Sequence, residues 1–249
     1  MRHFCRCVNI VVEHGRSLNY IMFMDDLHKA PRTLSDRVAL TITMFFRYFA
    51  DAFFANRYGH RAVVLETVAG VPGMVAGMWT HLSSLRKMQQ DEKGWIRELL
   101  DEAENERMHL MIFVEIAKPN IFERLLIITA QFLFWHFYFF LYVFFPTTAH
   151  RMIGYFEEQA VISYTEFLES IDSGKIENIN APKIAKDYYN LADSARLRDV
   201  VLAVREDELG HSRANHRMAN ELFSEREAKA QGARNISETE SSIDSRTEI

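Results

Sequence analysis

The sequence predicts an all-helical protein. Only 10 Gly and 5 Pro interrupt 249 residues, apolar positions recur at helical spacing from Leu34 onward, and β-type alternation is absent throughout. Hydrophobic residues make up 48% and charged residues 25%, the balance of a folded domain able to bury a sizeable core. The 29 basic and 34 acidic residues leave a net charge of -5, which argues against nucleic acid as a partner. Two cysteines, Cys5 and Cys7, exclude a disulfide scaffold or a cysteine zinc site.

Residues 1–33 read as an N-terminal arm that ends near Ala30-Pro31. Arg2, Arg6, Arg16 and Ser17 suit the remnant of a transit peptide, but Glu13, Asp25 and Asp26 oppose it, because such peptides are poor in acids. Residues 34–223 form the helical domain. Ser35 or Asp36 caps a first helix to about residue 57, with Tyr58-Gly59 as its stop. A second helix covers about 60–86 and should kink at Pro72-Gly73. A third covers about 90–117 and stops before Lys118-Pro119. A fourth covers about 121–145 and stops at Pro146, and a fifth covers about 149–171 and ends at Asp172-Ser173-Gly174. A short helix is expected over 183–189 and a last long one over 194–223. Residues 224–249 carry Ser, Glu, Arg and Thr with almost nothing apolar, so a disordered tail is expected there. Asn235-Ile236-Ser237 fits a glycosylation acceptor, a triplet common by chance.

Chemistry concentrates in carboxylates and histidines. Two predicted helices carry Glu-x-x-His, as Glu106 to His109 and Glu208 to His211. Residues three apart share a helix face, so each pair offers a carboxylate and an imidazole to one point. One such pair alone reads equally well as a solvated face. Glu66 sits inside the apolar run Ala62 to Ala69, where a lone charge is costly to bury unless it is paired or binds a metal. Glu157 lies on the fifth helix beside Tyr155, Phe156 and Ala160. Glu, Glu-x-x-His, Glu, Glu-x-x-His on four helices is the ligand set of di-iron carboxylate bundles of ferritin-like fold. The glutamates stand 40, 51 and 51 residues apart, which leaves room for a helix and its return each time. Four carboxylates and two imidazoles suit iron or manganese rather than copper(I).

Residues 125–145 contain no charge across 21 positions, long enough to cross a bilayer. A crossing there would separate Glu66, Glu106 and His109 from Glu157, Glu208 and His211, and no shared site could form. The segment is therefore expected to lie with one face on protein and the other in one leaflet. Val38, Leu40, Phe45, Phe46 and Phe49 of the first helix extend that patch; a fully buried core helix is the competing reading.

These residues resemble, in order, the signature motifs of the alternative oxidases, the mitochondrial cyanide-insensitive ubiquinol oxidases. The motifs are Leu65-Glu66-Thr67, Asn105 to Leu110, Phe156 to Ala160 and Arg205 to His211, and the likeness covers about 31–223. Glu66 to Val75 and Tyr164 to Leu168 also look like that family. The resemblance implies a monotopic di-iron enzyme that takes electrons from ubiquinol, reduces dioxygen to water and pumps no protons. It implies two irons per chain on Glu66, Glu106, His109, Glu157, Glu208 and His211. It implies Tyr164 as an electron or radical relay beside the metals. Arg61, Leu65, Gln159 and Ala160 match the quinol pocket, and Asn105, Asp207 and His150 match residues that orient the ligands. It also implies a homodimer on the matrix face of the mitochondrial inner membrane.

Three positions depart from the family pattern. Gln159 stands where a third consecutive glutamate is usual; it can hydrogen-bond but cannot take a quinol proton as a carboxylate does. Gly210 precedes His211 within a helix, at a cost on the order of 1 kcal/mol. Tyr189 stands where tryptophan is usual. Two other readings compete: a soluble ferritin-like oxidase or reductase subunit, which the aromatic run disfavours, and a membrane-peripheral bundle that keeps its metals but has lost quinol chemistry, prompted by Gln159.

Overall fold

The computed structural model describes residues 28–54 and 58–247. Cys5, Cys7 and the possible transit peptide lie outside these residues. Among the described residues the helices are α1 Leu34–Phe54, α2 Tyr58–Lys87, α3 Trp95–Ala117, α4 Ile121–Phe144, α5 Pro146–Asp172, α6 Lys183–Tyr189 and α7 Leu197–Thr247. The only β pairing among them is an isolated bridge between Asn180 and Arg196.

Local chemistry moves several boundaries from their expected places. α3 starts at Trp95 because Gly94 takes a left-handed conformation at φ 69°, and the Asp91 side chain accepts from the Ile96 amide at 2.6 Å. α4 opens on a capping box, with Asn120 and Glu123 each accepting the other's backbone N–H. α5 starts at Pro146 itself, since proline's fixed φ and missing N–H suit the first helical turn. α7 starts three residues late because residues around Arg196 pair with the 178–181 strand segment: Ala181 N–H donates to Ala195 and Leu197 N–H to Ile179. α2 continues through Pro72 to Lys87. The expected tail differs most. α7 runs on to Thr247, and every side chain from Ser224 to Asn235 is exposed, with Glu225 paired to Lys93.

α2 packs along α3 and α5 along α7, forming two closely spaced pairs. α1 lies on α5, and α4 lies across α2 and α5. The α2–α3 approach depends on Gly73, where an added Cβ would stand 2.5 Å from the Leu99 carbonyl oxygen. Two apolar clusters fill the interior. One includes Val71, Val75, Leu99, Tyr138, Ile153 and Met218; the other includes Val63, Ile112, Phe113, Phe167, Val200 and Val204. Each of α2, α3, α5 and α7 passes from one cluster to the other, and Glu66, Glu106, Glu157 and Glu208 respectively fall between them. The apolar layers above and below thus shield a polar middle layer from water.

A separate ion-pair network ties the arm to the bundle. Arg151 donates to Asp36 at 2.7 Å and to Asn220 at 2.5 Å, and Asp36 also accepts from the Arg32 and Thr33 amides. Glu158 accepts from the Lys29 amide at 2.8 Å and lies 2.7 Å from His28 and 2.8 Å from His216.

Candidate metal centre and its cavity

Glu66, Glu106, His109 and Glu208 each bring one ligand atom into a group whose members all lie within 4.8 Å of one another. His109 Nδ1 is 3.4 Å from Glu66 Oε2, 3.4 Å from Glu106 Oε2 and 3.3 Å from Glu208 Oε1. His211 Nδ1 stands 2.7 Å from Glu106 Oε1 and 4.0 Å from Glu208 Oε2. Glu157 lies outside the tight group, buried close enough to Glu208 and Glu106 to feel both their charges. All four glutamates and His109 are buried, while His211 is partly exposed. Helical spacing does this: Glu106 with His109 and Glu208 with His211 are each three residues apart on one face.

The donor set fits metal ions. Glu66 Oε2, both Glu106 oxygens, His109 Nδ1, Glu208 Oε2 and His211 Nδ1 are buried without a hydrogen-bond partner. Such groups are rare singly, because each unsatisfied one costs about 1–3 kcal/mol. Here they face one another, which is the arrangement that cations in their midst would satisfy. Charge balance points the same way. Burial, then the Glu208 and Glu106 charges, push the Glu66 carboxyl well above its ordinary range. Burial and the same two neighbours do so for Glu157. Burial also opposes charge on Glu106, but His109 and His211 outweigh it and hold that carboxyl well below its usual range. The His211 imidazole is lifted to about 9, the Glu106 charge overcoming the cost of burial.

Polar groups hold the ligands from outside. His109 Nε2 is 3.1 Å from Asp207 Oδ2, which also accepts from Asn105 at 3.0 Å and Tyr189 at 2.7 Å. Burial raises the Asp207 carboxyl, but these three hydrogen bonds prevail and keep it low. An acceptor on Nε2 leaves Nδ1 of His109 free to face the cluster. The Tyr189 hydroxyl supplies the donor that an indole N–H would give at this position. Gly210 is exposed, with nothing within 4 Å of an added Cβ, so packing does not require it. Tyr164 donates its hydroxyl to Glu66 and stacks on Phe113. His150 stands further back, bonded to Asn215 at 3.0 Å and 3.3 Å from the Tyr142 hydroxyl.

A cavity of about 530 Å³ leads to this centre. Phe46, Leu65, Leu133, Phe134, Phe156 and Ala160 are among its apolar lining, and Glu66, Glu157, Glu208 and Tyr164 line it too. Arg61, Arg47, Gln159 and Ser163 supply its other polar groups. Arg61 donates to Ser163 at 3.2 Å and pairs with Asp51 at 2.7 Å. Arg47 donates to the Gln159 carbonyl at 3.1 Å, to Ser163 at 3.2 Å and to Asp51 at 2.9 Å. Sequence reasoning missed Arg47, Asp51 and Ser163. A signal existed for Arg47 and Asp51: they are charges four residues apart among the phenylalanines of α1, a cue like the one that picks out Glu66. Glu102 and Asn215, buried beside the ligands, were also missed; each lies four residues from a ligand on the same helix.

The profile of the family described as alternative oxidase matches residues 17–220. The mitochondrial ubiquinol oxidase of Batrachochytrium dendrobatidis is 56% identical over 196 residues, covering 79% of this chain and 62% of that protein. Mitochondrial ubiquinol oxidase 1a of Arabidopsis thaliana is 52% identical over 202 residues, covering 81% of this chain and 57% of that protein. Mitochondrial ubiquinol oxidase 2 of Nicotiana tabacum is 54% identical over 189 residues, covering 76% and 63%. The chain thus spans about three fifths of the length of these relatives. With the profile extending over the whole ligand-bearing bundle, the chain belongs to the alternative oxidase family.

Proposed function

We propose that this chain is a ubiquinol:oxygen oxidoreductase that passes electrons from ubiquinol to dioxygen, gives water and pumps no protons. Two irons would be held by Glu66, Glu106, His109, Glu157, Glu208 and His211. The observation that carries this reading is the continuity between the apolar cavity and the candidate ligand cluster: a space of about 530 Å³ is lined also by Glu66, Glu157, Glu208 and Tyr164. Bound irons would supply paired redox chemistry toward dioxygen at their open positions. The side chains do the rest. Aromatic walls at Phe46, Phe134 and Phe156 take the ring and exclude water. Arg47 and Arg61 offer guanidinium donors to a quinol oxygen. Gln159 orients but takes no proton; Asp51, paired with both arginines, and Glu166, 3.9 Å from Arg47, are the carboxylates near that end. Tyr164 holds a proton on its hydroxyl against Glu66, with burial and the Glu66 charge keeping the phenol un-ionised.

The mitochondrial inner membrane, approached from the matrix side through one leaflet, fits the exposed face of α4. Phe122, Leu125, Ile128, Phe132, Phe140 and Phe144 all lie at least half exposed there. Ligands from before and after α4 meet in one cluster, which a helix that pierced the bilayer would prevent. The relatives' names, mitochondrial ubiquinol oxidases, support the substrate and the compartment. A homodimer is supported by Met74, Met78, Leu82 and Leu85, an exposed apolar stripe along α2.

Oxygen uptake by the purified, iron-loaded chain with ubiquinol in cyanide tests the proposal. Cyanide-insensitive uptake is expected, and its absence at full iron loading overturns it. A second reading, a metal-bearing bundle with weakened quinol oxidation, draws on the Gln159 carboxamide bound against Arg47. It predicts that Gln159→Glu raises turnover severalfold, whereas on the main reading that substitution changes turnover little.

A further inference from the structure

We propose that Asn215 is a positioning residue for the metal centre, the hub that fixes the His211 turn of α7 against Glu102 of α3 and His150 of α5. The proposal rests on the metal-centre reading above and extends it to groups that touch no metal.

Asn215 is buried one helical turn after His211. Its Nδ2 lies 3.0 Å from each Glu102 oxygen and 3.1 Å from the His211 backbone carbonyl. Three acceptors around one nitrogen fix the amide's orientation, since only the NH2 end can face them. The Oδ1 end must then face His150 Nδ1, at 3.0 Å, and that nitrogen must carry the proton. His150 Nε2 is left as the acceptor for the Tyr142 hydroxyl at 3.3 Å, and Tyr142 lies 3.4 Å from Thr80. Donors therefore run in one direction, from Thr80 through Tyr142, His150 and Asn215 to Glu102, and link five helices. Burial moves the His150 imidazole down to about 4, consistent with a neutral ring in this chain of bonds.

Two consequences concern the centre. The Asn215 amide adds a side-chain donor to the His211 carbonyl, which fixes the turn that carries the imidazole. Glu102, one turn before Glu106, is a second buried carboxyl close to the ligands, and Asn215 is the side chain that satisfies it. An acid at position 215 would set two carboxyl groups face to face and strip the His211 carbonyl of its side-chain donor. Exchanging the two groups, Glu102→Gln with Asn215→Asp, returns a donor–acceptor pair at the same place and still gives His150 an acceptor.

The test is cobalt(II) titration of the full-length chain, stripped of metal and held in detergent, read by visible ligand-field absorption. Wild type is expected to bind about two cobalt ions per chain. Asn215→Asp should bind at least about tenfold more weakly and shift the absorption bands, in line with losses seen when groups behind metal ligands are removed. Glu102→Gln/Asn215→Asp should recover part of that loss, because it restores the pair between positions 102 and 215 but not the side-chain donor to the His211 carbonyl. Equal binding by Asn215→Asp and wild type overturns the proposal, as does a double variant no better than the single one. If neither variant folds, Asn215→Ser decides: one hydroxyl donor cannot serve both Glu102 and the His211 carbonyl, so unchanged binding overturns the proposal and weakened binding supports it. Failure of wild type itself to bind cobalt would instead sink the metal-centre reading, and this inference with it.

Discussion

The most apolar stretches of helices α2 and α4 have nearly the same mean hydropathy, and each helix is long enough to cross a bilayer, yet the molecule uses them in opposite ways. In their most apolar windows 56% of α2 is buried against 17% of α4. α2 lies along α3, places Gly73 against a neighbouring backbone and carries Glu66 into the ligand cluster. α4 rests one face on α2 and α5 through Phe134, Tyr138 and Tyr142, and leaves the rest of its aromatic surface uncovered. Hydropathy measures how apolar a helix is, not what covers it. The difference is visible in which residues interrupt each run: glycines and a glutamate in α2, aromatics without a charge in α4.

The largest expected effect is on the buried side of this comparison. Glu106→Ala removes the carboxylate that both imidazoles face, so iron content and quinol oxidation should fall to background. An iron-replete, active variant is incompatible with the site. On the exposed side, replacing Phe122, Ile128 and Phe140 together by Glu should abolish binding to lipid vesicles, measured by flotation. The thermal midpoint should hardly move, because exposed side chains away from packed features contribute within about 0.5 kcal/mol each. Retained flotation would show that α4 is not the membrane face.

Gly73→Ala sharpens the contrast between the two helices. The new methyl meets the Leu99 carbonyl oxygen at 2.5 Å, and forcing α2 from α3 should cost about 1–3 kcal/mol in a denaturant titration. Ile128→Ala on α4 should cost far less. The smallest effect is electrostatic. Burial raises the Asp36 carboxyl, but the Thr33 and Arg32 amides and Arg151 outweigh it, leaving Asp36 below its ordinary 3.8. A carboxyl lowered in the folded state stabilises above its unfolded value, and that contribution fades as pH falls through the lower folded value. Asp36→Asn should therefore cost about 1–2 kcal/mol at neutral pH, and the gap from wild type should narrow below about pH 3.8. A gap independent of pH would contradict that assignment.

The sequence made the helices and the ligand motifs readable because each rests on local spacing. Glu66 stood out as a charge in an apolar run, and the two Glu-x-x-His pairs as shared faces. Boundaries set by distant partners were not readable. The start of α7 depends on a bridge to Asn180, and the start of α3 on a glycine in a left-handed turn. The tail's polarity reads as disorder, whereas α7 continues as a helix through its exposed residues Ser224 to Asn235. Asn215 and Glu102 carry no motif; only folding sets them against His150. Arg47 and Asp51 were legible by a rule like the one that found Glu66 and were passed over among the phenylalanines.

The most direct test of the central claim, that the polar layer between two apolar clusters is a binuclear centre, is the iron content of the full-length chain purified in detergent. The account predicts about two irons per chain, both lost in Glu106→Ala. A folded wild-type chain that takes up no iron, or holds the same amount after that substitution, would contradict it.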